Sequence, residues 1–180
     1  MVWLLSIGGA LVALFALFGL FLLWGILHLR QSKHQAATEI RWIELADLAP
    51  LANECIEVFH RKLGVRLDLN DCDDTAQKLD DAFRDRYRLK EAFARDDFYW
   101  YFVKPVGACL GELLRRHAKH EWRKQAGDPP SMRVVLKDGH SEVFPFEKVI
   151  KHAQVGDPGD LVAYLEFART LDLVAKERQR

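Results

Sequence analysis

The chain has no excess of charge of either sign. Its 26 Lys and Arg are matched by 26 Asp and Glu, and a dedicated nucleic-acid binder normally carries a basic surplus. No nucleic-acid partner is therefore expected. Cysteine is scarce too. Cys55, Cys72 and Cys109 are an odd set with no C-x-x-C spacing, which argues against a disulfide framework and for a reducing compartment. There is no glycine-rich phosphate loop, no G-x-S-x-G elbow and no H-E-x-x-H or its inverse, so the common signatures of phosphoryl transfer, serine hydrolysis and zinc peptidases are missing. No cofactor, no metal and no catalytic residue are assigned from the sequence.

One absence is regional. Residues 1–29 contain no Asp, Glu, Lys or Arg. As a helix rising about 1.5 Å per residue they exceed the ~30 Å hydrocarbon core, with Trp3 and Trp24 near the ends as interfacial anchors would be. The stretch reads as a transmembrane helix in contact with the lipid bilayer. A cleaved signal peptide would need a basic start, a shorter apolar run and a small-residue cleavage site. Arg30, Lys33 and Arg41 follow the stretch, so the positive-inside rule predicts a single-pass protein of the bacterial inner membrane with its remaining domain in the cytoplasm. Ser6, Gly9, Ala13, Ala16 and Gly19 share one helical face, where small side chains would let a second helix approach and self-associate.

Residues 30–46 read as a juxtamembrane connector and residues 47–180 as a single α+β domain, mostly helical with a small antiparallel sheet. A helix is expected from Leu48 to Lys62, capped by Asp47 and stopped by Gly64. "VRLDL" follows as a strand or an extended approach. "NDCDDTAQKLDDAF" resembles a calcium loop only superficially. A loop starting at Asp68 would want Gly where Asp73 stands and Glu where Leu79 stands, so Asp71, Asp73 and Asp74 are expected to cap a helix instead. The aromatic run Phe98–Phe102 cannot face one side and is read as core packing. "DG" at Asp138 and Gly139 predicts a hairpin, and Pro145 is placed at the end of its second strand. A short helix to Gly156 comes next, then a longer one capped by Asp157 with Asp160 in its first turn.

The segment "KPVGACLGELLRRHAKHEW", Lys104 to Trp122, carries the main question. From Val106 on it reads as one helix, yet Gly107 and Gly111 each cost that helix about 1 kcal/mol against Ala. As a reactive site it would offer Cys109, Glu112, Arg116 and His120 on one face. Eleven residues of helix would hold Cys109 and His120 roughly 16 Å apart, too far for a nucleophile–base dyad. As a packing groove, Gly107 and Gly111 would admit a neighbouring backbone, from the hairpin or the Asp71-capped helix. Alanine at position 111 would then be tolerated better than leucine. Glu112 would pair with a basic group or cap amides, and Trp122 completes the candidate interaction set.

The order Leu79–Asp80, G-x-x-x-G-E at Gly107, Gly111 and Glu112, then Trp122, a hairpin and P-F-x-x-V-I-K from Pro145 to Lys151 resembles a family of small bacterial domains of unknown function, over about residues 65–168. That resemblance implies the α+β domain and no transferable chemistry. The sequence reading is a membrane-tethered, non-enzymatic protein-binding module of unknown partner: an adaptor, assembly factor or immunity-type protein. The alternative is an enzyme or small-ligand regulator with a pocket near Glu112 and the hairpin.

Overall fold

The computed structural model describes residues 40–85, 102–118, 120–126, 128–136, 139–155 and 160–179. The chain divides into two units, Met1–Thr38 and Glu39–Arg180, and the described residues belong to the second. Its start lies ahead of the expected boundary at residue 47.

Five helices and one small sheet make up the described elements. A 3₁₀ turn, Leu45–Asp47, leads into α1 (Leu48–Val58), which continues through a π-type turn, Phe59–Leu63. Then come α2 (Cys72–Arg84), α3 (Lys104–His117), β1 (Glu121–Arg123), β2 (Ser131–Leu136), β3 (Gly139–Val143), α4 (Pro145–Val155) and α5 (Asp160–Gln179). The sheet is antiparallel in the order β1-β2-β3. Trp122 pairs with Met132, and Met132 with Val143.

Among these residues no helix is long and apolar enough to cross a membrane. That corrects the expected fold class: the described structure is mostly helical with a three-stranded antiparallel sheet, and shows no spanning helix. The expectations of a membrane protein, of a transmembrane helix and of a single-pass inner-membrane location are corrected with it. The physical reason is plain in α5, the longest of the described helices. The 20 residues of α5 are interrupted by Asp160, Glu166, Arg169, Asp172, Lys176, Glu177 and Arg178, a charge density that hydrocarbon does not admit. Residues 1–29, on which that expectation rested, and the small-residue face from Ser6 to Gly19 lie outside the described residues.

The helix α3 is the centre of the core. Every residue from Lys104 to Leu114 is buried, with α1 packed along it most extensively and α4 next. Phe59 from the π-type turn stacks on Phe102 at 5.4 Å, and Phe83 of α2 meets Phe102 edge-on at 5.0 Å. The last aromatic of the run is thus core; Phe98 to Tyr101 lie outside the described residues. Between α1 and α2 the chain turns through Gly64, whose φ of +67° is the left-handed conformation that glycine adopts without a Cβ penalty. Leu67 and Leu69 are buried beyond it, but among the described residues "VRLDL" pairs with no strand.

Other boundaries moved. Asp47 does not cap α1. Its carboxylate instead accepts from the Glu44 amide at 3.0 Å and closes the 3₁₀ turn. The helix expected to run to Trp122 ends at His117, and Trp122 belongs to β1. Pro145 opens α4 rather than ending β3, as suits a residue with fixed φ and no N–H to leave unpaired. Gly139 is a strand residue paired with Leu136; Lys137, Asp138 and residues 156–159 lie outside the described residues. At α2, Asp71 accepts from the Asp74 amide at 3.1 Å. Asp71→Ala should cost about 1 kcal/mol, read as a Tm lowered by about 3 °C.

Candidate functional site

The two glycines of α3 are one turn apart and face the sheet side of the domain, where each receives an aromatic ring. A Cβ built on Gly107 would lie well under 3.0 Å from the Phe146 ring, and one on Gly111 closer still to the Trp122 ring. The groove therefore takes two side chains, one from α4 and one from β1, rather than a neighbouring backbone. The rings also meet each other, with centroids 6.0 Å apart. Phe146 is fully buried and Trp122 partly so.

Glu112 fixes the outer ring. Trp122 Nε1 donates to Glu112 Oε1 at 3.0 Å. Arg115 donates to the same carboxylate through Nε at 3.0 Å and Nη2 at 2.8 Å, and Arg116 Nε stands 3.9 Å away. Burial alone would raise the Glu112 carboxyl. The hydrogen bonds from Arg115 and Trp122, with the charges of both arginines, outweigh it and hold the group below its ordinary range. A general acid at neutral pH needs the opposite shift. Glu112 is thus an ionised clamp on the indole, and its oxygens are occupied.

His120 is not on the helix with Cys109. It is buried in the link between α3 and β1, with Nδ1 2.7 Å from the Ala118 carbonyl. Burial pushes its imidazole down, against the smaller opposing effects of that carbonyl and of Asp172. His117 Nε2 reaches the Leu69 carbonyl at 2.9 Å, and Arg116 donates to Asn70 Oδ1 at 3.2 Å. These contacts tie the end of α3 to the chain before α2.

A second buried cluster went unread in the sequence. Asp80 of α2 is fully buried, and its two oxygens accept from the amides of Leu161 and Val162 at 3.1 Å each. It caps the N-terminus of α5 from a different element, where the helix dipole favours an anion. His152 of α4 lies between two carboxylates, with Nε2 3.3 Å from Asp80 and Nδ1 3.4 Å from Asp160, both off the geometry of an aligned hydrogen bond. Phe83 covers its ring at 4.7 Å, and Lys148 pairs with Asp160 at the outer edge. Burial would raise the Asp80 carboxyl. His152 and the two amides more than offset it and set it below its ordinary range. A carboxylate-oriented histidine is one ingredient of general-base catalysis. Here both ring nitrogens are turned to carboxylates and the ring is buried, so no ring atom is presented to a substrate. The only sequence signal was Asp80 beside Leu79, an acid where the helix pattern expects the core.

Among the described residues, no group of three His, Cys, Asp or Glu is arranged to hold a metal ion. Compared with known proteins, the chain matches no family model, no curated protein and no solved structure. The resemblance drawn from the Gly107, Gly111, Glu112, Trp122 and Pro145–Phe146 pattern rests on that pattern alone. Spatially the pattern is one packing unit.

The ring in the socket makes even alanine costly, and leucine at position 111 should cost more than alanine, as expected from the sequence. Gly111→Ala should destabilise by up to about 2 kcal/mol, crowding of roughly 1–3 kcal/mol less the roughly 1 kcal/mol of regained helix propensity. In a Trp122→Leu background the same change should be neutral or stabilising. Melting curves of the four proteins check this, and an unchanged penalty without the indole would refute the socket.

The Asp80 cluster makes a pH prediction. Its folded carboxyl titrates below the ordinary value of 3.8, as does Glu112 below 4.5. The stability each contributes is complete above those values and is lost as pH falls through the lower folded ones. The wild-type Tm should hold from pH 7 to 5 and drop below about pH 4. Asp80→Asn should cost about 3 kcal/mol at pH 7 and flatten the acid limb. Thermal melts from pH 7 to 3 give both readings.

Proposed function

We propose that the Glu39–Arg180 unit is a protein-binding module without a catalytic centre of its own, of the adaptor, assembly or immunity type. The observation that carries this reading is Trp42. It is 76 % exposed, yet the chain around it is fastened on both sides. Ile40 and Ile43 are buried. Lys124, beyond β1, donates to the carbonyls of Arg41 at 2.6 Å and Ile43 at 2.5 Å, and pairs with Glu44 at 3.3 Å. The indole is thus held outward by the backbone on either side of it, with Leu45 exposed in the same short segment.

A lone exposed apolar side chain needs no explanation. A tryptophan presented on a pinned segment is different, because much of the ordering cost of binding is met before a partner arrives. Tryptophan is also enriched among the residues that dominate protein interfaces. Glu112, the centre of the alternative enzyme or ligand-pocket reading, lends that alternative no support, being ionised and fully engaged.

The test uses the full chain as bait, with bound proteins quantified for wild type and Trp42→Ala. The variant should melt within about 0.5 kcal/mol of wild type, since the side chain is exposed. It should lose its specific partner by about 30-fold or more, the loss expected of an interfacial hot spot of 2 kcal/mol. Equal retention by both proteins would overturn the assignment of Trp42.

A further inference from the structure

The segment that presents Trp42 leads straight into α1, and the outer side of that helix is uncovered too. α1 turns Leu48, Ala52, Cys55 and Val58 into the core, at the three- and four-residue spacing of one helical face. Ala49, Pro50, Asn53 and Glu57 on its other side are exposed, and Glu54 is half-buried. The charge of this stretch has a single sign. Residues 42–59 contain Glu44, Asp47, Glu54 and Glu57 and no Lys, Arg or His, in a chain whose overall charge is balanced. Glu44 pairs with Lys124, and the Asp47 carboxylate holds the Glu44 amide. Among the described residues, Glu54 and Glu57 form no ion pair.

We propose that the Trp42 segment and the outer side of α1 together take a basic segment of a partner protein. An arginine or lysine of that segment lies against the indole, and further basic side chains meet Glu54 and Glu57. The inference rests on the binding reading above and adds the partner's chemistry to it. An exposed indole face attracts a cation, a guanidinium most often. Carboxylates without internal partners attract basic side chains and repel acidic ones, so they select among partners more than they add affinity. A purely apolar partner would cover the same carboxylates and strip their water without giving them a counter-charge.

Basic residues at either end limit the length of the segment. Arg41 precedes Trp42, and His60, Arg61 and Lys62 follow α1 in the π-type turn, all of them exposed. Their like charge disfavours a basic stretch that runs past them. Lys124, close to Trp42 in the fold, directs its ammonium at the carbonyls of Arg41 and Ile43 and at Glu44, so its charge is taken up within the domain. The 11 residues of α1 rise roughly 16 Å, which a partner spans with about three helical turns or about five extended residues.

The test pans a library of random peptides, about 12 residues long, on the immobilised full chain. Wild type, Trp42→Ala and the Glu54→Gln/Glu57→Gln double variant are compared, each first shown to melt within about 2 °C of wild type. Peptides enriched on wild type and lost on Trp42→Ala should carry net positive charge, with Arg or Lys beside an apolar residue. One of them, synthesised, should bind the double variant about fivefold more weakly, the loss of two exposed ion pairs, and should bind wild type less tightly as salt rises. Trp42-dependent peptides that are neutral or acidic would overturn the basic partner and leave Trp42 standing as a binding residue. So would a basic peptide that binds the double variant as tightly as wild type. If no peptide depends on Trp42, both readings fall.

Discussion

The seating of two aromatic rings on the glycines of α3 is the constraint on which the rest of the described structure depends. Phe146 enters at Gly107 and Trp122 at Gly111, so one helix locates both the strand that follows it and the helix that follows the sheet. Each glycine costs the isolated helix about 1 kcal/mol. Each removes the one methyl group that would keep a ring from the helix backbone, and burying an aromatic ring more than offsets that cost. Glu112, between the two glycines and the arginines, turns the contact from a hydrophobic one into an oriented one. Its carboxylate takes the indole N–H and the Arg115 guanidinium together.

A second polar device secures the opposite side. Asp80 closes the start of α5 from α2, and His152 of α4 sits between Asp80 and Asp160, so three helices meet at one buried carboxylate. Buried charge of this kind is weak support for stability in itself, but removing one member leaves the others uncompensated. Its contribution is specificity of arrangement. The amides of Leu161 and Val162 have a single acceptor, and α5 cannot slide along α2 without losing it.

These two devices draw in most of the residues that look chemically interesting. Glu112, Trp122, Asp80 and His152 each have their polar atoms directed at partners within the fold. Among the large apolar side chains left exposed are Trp42 on its pinned segment and Phe167 and Leu173 of α5. That division between an occupied interior and a presented surface is the basis for reading the unit as a binding module.

Local signals in the sequence determined much of the element list. The acid run before α2, Gly64 after the first helix, and the β-rich runs around Gly139 all acted where their local chemistry placed them, because capping and left-handed turns depend on a few adjacent residues. Local pattern failed where a distant partner decided. The leucine and arginine pattern could carry the helix on to Trp122, but the seat at Gly111 and the pairing with Met132 drew that residue into β1. Asp47 could cap α1, yet its carboxylate accepts the Glu44 amide instead. The cap on α5 and the burial of His152 between two carboxylates had no local trace, since each joins residues far apart in the chain. A sequence carries its periodicities and caps within a few residues. Which side chain fills a glycine socket or neutralises a buried acid is settled only when the elements pack.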